Sequence, residues 1–273
     1  MKRIIRVFPT KTNMSPIDEY VCFGEPELFL PPFDVVHISV TFTWDIKRGY
    51  ALKDVWDKKY PGKVLIGGVA IDGESREPFV AGMYLKEGIT ITSRGCPNNC
   101  SFCLVKNELI EFDDFPEGNI IQDNNILACS NEHRRKVWKM LRKQKRIEFK
   151  GGLEASRVTP KIAEELRSLS IKTLWLACDH HNAIKPLKKA IKILQSVGFN
   201  SHLYCYCLIG KNRQEELNRL YEILFAGAIP YAQLYKDYND SIQYSKELKR
   251  FQREWLRPPI IRSKKPKCTA RTI

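Results

Sequence analysis

From residue 88 to residue 237 the chain alternates short apolar runs with longer amphipathic stretches. This unit recurs about every 30 residues, the spacing expected of βαβ units in a parallel sheet. The amphipathic stretches repeat apolar residues at i, i+4 and i+7, as Ile162, Leu166 and Leu169 do, which predicts helices with one buried face. The pattern therefore predicts an α/β fold. Its six strands are predicted at residues 88–92, 119–128, 147–150, 171–178, 203–209 and 229–235.

Local signals mark the helix boundaries. Thr159 followed by Pro160 predicts a helix start, because the hydroxyl can cap the first turn and proline lacks only an N–H that would be unpaired there. Asn212 with Glu215 three residues later matches a capping box. Two glycines are placed where helices should end, Gly198 and Gly227.

The segment before this repeat, residues 1–87, differs from it. Two strands are predicted there, at residues 35–41 and 63–67, with a helical stretch between them. A small α/β domain is therefore expected ahead of the repeating domain, which covers residues 88–240.

The last segment, residues 241–273, combines an apolar stripe with many bases. The stripe predicts a final helix that docks on the preceding domain with its bases outward and is ended by Pro258 and Pro259. Beyond it, residues 262–273 are predicted to be flexible until an acidic partner binds. The stripe consists of Tyr244, Leu248, Phe251 and Trp255.

Charge adds a candidate partner. The net charge is +14, and from residue 246 onward the chain has ten bases and two acids. Basic clusters neutralise phosphates, so nucleic acid is a candidate partner, although a solvated surface on a basic protein explains them equally well. A second basic cluster contains Arg134, Arg135, Lys136, Lys139, Arg142, Lys143, Lys145 and Arg146.

Length and composition exclude several classes. With 273 residues, 43% of them hydrophobic, the chain can bury a substantial core. The apolar run at residues 4–9 is too short and broken for a signal peptide, and no run approaches the length of a membrane span. An odd number of cysteines, nine, argues against a disulfide framework. We therefore expect a cytoplasmic protein with reduced thiols and no membrane partner.

Three cysteines, Cys96, Cys100 and Cys103, form a Cys-x3-Cys-x2-Cys loop directly after the first predicted strand of the repeat. A structural zinc site needs four ligands, and the next candidates, Cys129 and His133, lie far along the chain. A ferredoxin cluster takes four cysteines in other spacings. Three thiols without a fourth suit an iron-sulfur cube that leaves one iron open.

These residues resemble the hallmark of the radical S-adenosylmethionine (SAM) superfamily, Cys-x3-Cys-x-aromatic-Cys, with Phe102 at the aromatic position. The resemblance implies a partial (β/α)6 TIM-like barrel; a doubly wound sheet is the alternative that periodicity leaves open. It also implies that the three cysteines hold a [4Fe-4S] cluster whose fourth iron binds SAM. A reductant such as flavodoxin or ferredoxin would supply an electron, which cleaves SAM to methionine and a 5′-deoxyadenosyl radical.

Cofactor-contacting residues are expected at the carboxyl ends of the strands, where β/α barrels carry their chemistry. After the second strand, Asn124 and Asn125 lie in the region where the superfamily binds the SAM amino group, with turn formation as the alternative. After the third strand, Glu154 can meet a ribose hydroxyl or an ammonium group. The structural alternative for Glu154 is an ion pair with Arg157.

The fourth strand end supplies Asp179, which by analogy with the superfamily is the candidate ribose contact. His180 and His181 are candidates for proton transfer, because imidazole titrates near neutral pH. Cys178 is a further catalytic candidate. Helix capping by Asp179 or Asn182 is the structural alternative.

At the fifth strand end, Ile209 and Gly210 resemble the turn that lies along the adenine in the superfamily. Cys205 and Cys207 are two apart on one strand and therefore share a face. They could both point into a barrel as auxiliary-cluster ligands or hydrogen donors, but ordinary buried cysteines are the more common case.

A weaker resemblance links the chain to the cobalamin-type and methylthiotransferase-like members of the superfamily. Arg94 to Pro97 resemble the sequence around the first cysteine in those proteins, and residues 1–87 look like a shortened cobalamin domain. The cobalamin-ligand motif Asp-x-His-x-x-Gly is absent, since Asp34 and His37 have the wrong spacing. Bound cobalamin is therefore not expected, and His37 is expected to be a hydrogen-bonded core residue.

The sequence thus predicts a radical SAM enzyme whose substrate is unspecified, with nucleic acid or a nucleotide favoured by the basic clusters. The alternatives are a nucleic-acid-binding protein with a structural or redox-sensing iron-sulfur cluster and a zinc-stabilised α/β protein.

Overall fold

Near the amino terminus a small parallel sheet packs against a long helix. The computed structural model describes residues 2–72, 84–105 and 108–264. The elements of this first unit are β1 (Ile4–Phe8), β2 (Val21–Phe23), β3 (Val35–Ser39), α1 (Ile46–Lys59), β4 (Val64–Gly67) and α2 (Val69–Asp72). The strand order is β2-β1-β3-β4, and Ile5, Ile38 and Trp56 are fully buried in the core.

The sequence predicts β3, α1 and β4 but misses β1 and β2. A strand of three residues such as β2 is too short for its own alternation to be recognised, and it is held by pairing with β1. The predicted end of β3 at residue 41 is also wrong, since the strand stops at Ser39. His37 is buried and its Nδ1 lies 2.5 Å from the hydroxyl of Tyr84, as expected of a hydrogen-bonded core histidine.

The second unit begins at residue 88. It contains a six-stranded parallel sheet, and its helices follow the strands along the chain. The elements are β5 (Gly88–Thr90), β6 (Ser93–Arg94), β7 (Ile110–Glu111), β8 (Gly118–Ile121), α3 (Asn131–Leu141), β9 (Ile147–Leu153), α4 (Pro160–Arg167), β10 (Ile171–Ala177), α5 (Ile184–Ser196), β11 (His202–Ile209), α6 (Arg213–Ala226) and β12 (Ile229–Leu234).

The strand order β5-β8-β9-β10-β11-β12 follows the chain without reversal. A doubly wound sheet reverses its order at a switch point, so that alternative is not the observed topology. Within the described residues β5 and β12 are the sheet edges and are not paired with each other. The short strands β6 and β7 form a separate antiparallel ribbon.

The two faces of this sheet differ. On β11, Leu203, Cys205 and Cys207 are buried in the core formed with the helices. The alternate residues Tyr204 and Tyr206 point to the opposite face and are only partly buried. Cys205 and Cys207 do share a face, and it is the face that packs on the helices.

Two strand predictions need correction at their carboxyl ends. The second strand, predicted to reach residue 128, stops at Ile121, and residues 126–128 form a turn of 3-10 helix. Polar residues 122–125 leave the sheet because several of them bind neighbouring loops through their side chains. The third strand, predicted to stop at residue 150, continues to Leu153 and includes Gly151 and Gly152.

The predicted cap residues are confirmed, although the acid of the predicted capping box, Glu215, is not the one that accepts from the Asn212 N–H. The Thr159 hydroxyl accepts a hydrogen bond from the backbone N–H of Ile162 at 3.3 Å, which typically contributes about 1 kcal/mol to stability. Asn212 accepts from Glu215 N at 3.2 Å. Gly227 closes α6 with a left-handed φ of 106°, and Gly198, with φ of 73°, follows the last turn of α5.

The carboxyl-terminal segment forms two helices, α7 (Lys246–Glu254) and α8 (Pro258–Ser263). Phe251 and Trp255 are buried as the stripe predicts. The prolines do not end α7 but occupy the first turn of α8, where a missing N–H costs nothing. The predicted flexibility of residues 262–273 falls mostly outside the described residues. None of the described helices is long and apolar enough to cross a membrane.

Candidate functional site

The cysteine loop lies between β6 and β7, beyond the carboxyl end of β5. Cys96 and Cys100 are partly buried, Cys103 is exposed, and all three are free thiols. The Cys103 N–H donates to the Cys100 carbonyl at 3.0 Å, which turns the loop back on itself. Burial raises the pKa of the Cys100 thiol, and the nearby thiols of Cys103 and Cys96 add to this shift. The loop therefore groups its three thiols at one end of the sheet.

Gly95 permits the loop to start where it does. Its φ is +81°, and a Cβ at this position would lie 1.4 Å from the carbonyl oxygen of Glu108. Any other residue would have to displace that backbone. Glycine before the first cysteine is thus required by the close approach of the returning chain.

A buried carboxylate ties the loop to the sheet. Asp123, 2% exposed, accepts from Thr92 N at 2.7 Å, from Thr92 Oγ1 at 2.5 Å and from Ser93 Oγ at 2.9 Å. Burial raises the pKa of Asp123, and these hydrogen bonds oppose the shift. Gly151 lets Asp123 approach, because a Cβ there would lie 1.9 Å from the Asp123 carbonyl oxygen. This anchor was missed, since the sequence shows only a polar run.

The predicted residues Asn124 and Asn125 both contact the loop. Asn124 Oδ1 accepts from the backbone N–H of Gly95 at 3.1 Å. Asn125 Nδ2 donates to Cys96 Sγ at 3.3 Å and to Glu154 Oε2 at 2.7 Å. These two asparagines hold the first cysteine in place.

Glu154 forms the ion pair with Arg157 that the sequence offers as its structural role. Arg157 Nε lies 2.6 Å from Glu154 Oε2, and the hydroxyl of Ser156 also donates to this carboxylate. Although burial opposes it, these contacts and the one from Asn125 lower the pKa of Glu154. The Asn125 amide therefore links Glu154 to Cys96. The expected contact of Glu154 with SAM stays a prediction.

A cleft of about 620 Å³ opens between the cysteine loop and the ends of β10 and β11. Its volume lies within the usual range for small-molecule sites, roughly 300–1,000 Å³. Five of the residues predicted from sequence line it: Cys100, Phe102, Asp179, His180 and Ile209.

Asp179 joins two strands beneath this cleft. Its Oδ1 accepts from the backbone N–H of Leu208 at 2.9 Å, and burial raises its pKa. No side chain caps the helical turn that follows, so neither Asp179 nor Asn182 is a helix cap. The carboxylate instead fixes the ends of β10 and β11 relative to each other.

The paired histidines diverge. His180 is exposed on the cleft, with its ring centroid 6.3 Å from that of Phe102. His181 lines a different cleft, of about 770 Å³, between α5 and α6. Cys178, the third catalytic candidate, is 0% exposed in the helix-facing core, and burial raises its pKa to about 12. Of the three, only His180 lines the cleft beside the cysteines.

Sequence reasoning missed Glu216, which is 3% exposed and lines the cleft. Its Oε1 accepts from the N–H groups of Gly210, Lys211 and Asn212 at 2.7, 2.6 and 2.9 Å. The predicted capping box placed the acid at Glu215, but the acid that returns to the Asn212 N–H is Glu216. The signal was therefore present in the sequence, one residue away from the position assigned.

Arg219 is the second missed residue of this cleft. It is 4% exposed, donates to the Leu208 carbonyl and lies 3.3 Å from Cys207 Sγ through Nε. It thus links α6 to the end of β11, and nothing in the local pattern distinguishes it from a surface arginine.

The fourth-ligand candidates for zinc are engaged elsewhere. Cys129 is buried in the core, and His133 Nε2 lies 3.1 Å from Thr92 Oγ1. Within residues 2–72, 84–105 and 108–264, no group of three or more His, Cys, Asp or Glu side chains is arranged to hold a metal ion.

Comparison with known proteins adds no relative. No protein-family model matches the chain, and no curated protein sequence matches it.

Proposed function

We propose that the protein is a radical SAM enzyme. The observation that carries the proposal is the position of the Cys-x3-Cys-x2-Cys loop, at the carboxyl end of a six-stranded parallel sheet and on the wall of a cleft of about 620 Å³. An electron-transfer or structural cluster has no use for such a cleft, whereas an open iron must face space for its ligand.

The residue types of the loop suit the cluster, although within the described residues the three thiols are not arranged around one metal position. Three thiols on one loop are free of disulfides, and the Asn125 amide donates a hydrogen bond to Cys96 Sγ, a contact that stabilises a cluster thiolate. Cys96, Cys100 and Cys103 would hold three irons of a [4Fe-4S] cluster. When bound, that group supplies the electron that cleaves SAM into methionine and a 5′-deoxyadenosyl radical.

The chain's own residues would bind and orient SAM. Phe102 offers apolar surface on the loop side of the cleft, and the almost fully buried Ile209 lies in the wall at the end of β11. His180 lies on the rim, and Asp179 and Glu216 hold the strand ends and the 210–212 turn that form the wall. These residues exclude water from one side and hold the loop that would meet the adenine.

We further propose that the larger sheet is a partial (β/α)6 TIM-like barrel. Sequential strand order and burial of one sheet face against the helices support this arrangement. The partly buried opposite face would then be the inner face. Residues 1–87 precede it as a small α/β domain.

The test is SAM cleavage by anaerobically reconstituted full-length protein with dithionite or reduced flavodoxin. We expect release of 5′-deoxyadenosine and about four irons per chain. Cys100→Ala should abolish release and lower iron content, while Cys205→Ala, which alters a cysteine away from the loop, should retain both. Four irons without SAM cleavage would instead favour the structural or redox-sensing cluster. Zinc in place of iron in protein purified without oxygen would overturn both.

A further inference from the structure

One face of α7 is strongly basic. Four exposed bases are spaced at i, i+3, i+4 and i+7, so they form a single stripe. The opposite face carries the buried Phe251 and Trp255, which fix the orientation of the helix. Between residues 246 and 264 the chain has seven bases and two acids, Glu247 and Glu254. The stripe is Lys246, Lys249, Arg250 and Arg253.

The basic cluster on α3 differs, because part of it has intramolecular partners. Arg134 donates to the carbonyls of Leu127 and Cys129. Lys136 donates to the carbonyl of Asp113, and Lys143 pairs with Glu117 at 3.3 Å. These three bases hold the α3 region together. In the α7 stripe Arg253 also has a partner, the Lys249 carbonyl at 3.3 Å, but that carbonyl belongs to the same helix. The α7 stripe is the better candidate for binding an external anion because it begins beside the cleft.

The stripe begins at the rim of the candidate cleft. Tyr244, which precedes α7, donates its hydroxyl to the carbonyl of Tyr235 at 2.8 Å, and Tyr235 lines the cleft. The Tyr244 ring also packs against Gly210. On the next turn of α7, Phe251 packs under the guanidinium of Arg213, whose carbon lies 3.6 Å from the ring centroid. A ligand following α7 toward its first residue therefore arrives at the cleft.

Aromatic rings and basic side chains lie close together next to Tyr235 and Lys211, which line the cleft. Lys236 Nζ lies 4.6 Å from the ring centroid of Trp44, which is stacked on Phe42 at 4.8 Å. Lys211 Nζ lies 5.0 Å from the ring of Tyr235. Tyr238 is 50% exposed, and its carbonyl accepts from Thr43, which joins the two units of the protein here. Asp240 pairs with Lys236, and the acids Glu215 and Glu216 line the adjoining cleft.

We propose that this surface binds a single-stranded nucleic acid. Its phosphates would lie along the α7 stripe, and its nucleobases would stack on the aromatic rings near Tyr235. Phosphates take Lys and Arg as partners, and nucleobases stack on aromatic faces in a sequence-tolerant way. An acidic protein would pair with the lysines and arginines but would gain nothing from the aromatic rings. The placement of a nucleotide at the cleft rests on the proposed function; binding to the surface does not.

The charge arm of the test compares two triple variants of the full chain. K249Q/R250Q/R253Q neutralises the α7 stripe, and K185Q/K189Q/K192Q removes the same charge from exposed lysines on α5. Binding of a fluorescent 20-nucleotide single-stranded RNA, and of the same sequence as DNA, is measured by anisotropy from 50 to 200 mM KCl. The log-log salt slope should fall by about 2 for the α7 variant, at about 0.7 per phosphate contact, and stay unchanged for α5.

The aromatic arm uses matched tyrosines. Tyr238→Ala should weaken binding about tenfold through loss of one stacked base. Tyr50→Ala on α1, where the tyrosine is 48% exposed, should leave binding unchanged. Equal weakening by the α7 and α5 variants would overturn the proposal, since net charge alone would then explain binding. Displacement of RNA by poly-glutamate as readily as by unlabelled RNA would also overturn it, in favour of an acidic protein partner.

5′-Deoxyadenosine release is measured on the same wild-type preparation, which separates the two proposals. SAM cleavage without nucleic-acid binding refutes only the docking surface. Binding with the predicted salt slope but without SAM cleavage refutes only the proposed enzyme.

Discussion

The protein places cysteines in two contrasting regions at the same end of its larger sheet. In the loop region Cys96, Cys100 and Cys103 lie on the loop that forms one wall of the cleft, and they are partly buried or exposed. In the helix-facing core Cys178, Cys205 and Cys207 are 0% exposed. The first group has polar neighbours such as Asn125. The second is packed in the apolar core, where Cys207 has one polar contact, to Arg219.

The contrast separates chemistry from packing. A buried thiol keeps its proton: burial raises the pKa of Cys207 to about 12, although the neighbouring Arg219 guanidinium opposes the shift. Such a thiol behaves as a small apolar side chain. Of the two groups, only the loop cysteines are accessible and lie on one loop. The number of cysteines therefore says less about function than the loop or the sheet face on which each cysteine lies.

The largest expected difference between the two regions is in alkylation rate. At pH 8, a thiol with a pKa of about 12 in place of 9.0 has a thiolate fraction about 1,000-fold smaller, and burial also blocks access. Iodoacetamide should therefore label Cys103 in the folded, metal-free protein within minutes and leave Cys207 unlabelled until urea is added. Peptide mapping by mass spectrometry measures this. Equal labelling of both in the folded state would mean that β11 presents its other face to the helices.

The second expected difference concerns the polar wall of the cleft. Glu216→Ala removes the acceptor of three backbone N–H groups at residues 210–212, and we expect the free energy of unfolding to fall by about 3 kcal/mol. Its exposed neighbour supplies the control: Glu215→Ala loses only a long contact to Arg219 and should cost about 0.5 kcal/mol. Urea unfolding followed by circular dichroism compares them. Similar losses of unfolding free energy for both variants would show that Glu216 does not hold the turn at residues 210–212.

A smaller effect is expected from truncating cysteines in the two regions. Cys207→Ala leaves a small cavity and deprives Arg219 of a contact, so the protein should lose about 1–2 kcal/mol of stability. Cys103→Ala, at an exposed position, should change stability by less than about 0.5 kcal/mol. Both are measured on metal-free protein by thermal unfolding. The reverse order would contradict the division into packing and loop cysteines.

The smallest effect is a pH dependence of the buried thiols. The pKa of Cys178 is raised from 9.0 to about 12 by burial, so between these values the unfolded state releases a proton that the native state keeps. The stability that this thiol contributes is fully present below pH 9 and is lost as pH rises toward 12; by pH 10 the loss is about 1.4 kcal/mol. Comparing urea unfolding of wild type and Cys178→Ala between pH 8 and 10 isolates this contribution. Parallel curves would show that Cys178 is not desolvated.

Much of the larger sheet was predictable, because its strands and helices carry local patterns. Each predicted strand from residue 88 onward overlaps an observed one, and Thr159 and Asn212 cap helices as expected. The errors lie at strand ends. The second strand stops at Ile121 because Asp123 binds Thr92 and Ser93, about thirty residues earlier in the chain, and such a contact leaves no trace in the local pattern.

The candidate site was predictable in part for the same reason. The carboxyl ends of parallel strands meet at one edge, so Asp179, His180 and Ile209 were expected near Cys100, and all of them line one cleft. His180 and His181 are adjacent in sequence, yet they point to different clefts because the backbone between β10 and α5 turns there. Sequence spacing alone could not separate them.

By itself the sequence determined the three-cysteine loop, the period of the strands and helices, and the basic stripe of α7, since each is a relation between residues close along the chain. The tertiary structure decided which side of β11 faces the helices, which acid holds the 210–212 turn, and that the α7 stripe begins at the cleft. Those outcomes depend on strand register and on hydrogen bonds between distant segments, which exist only after the sheet has formed.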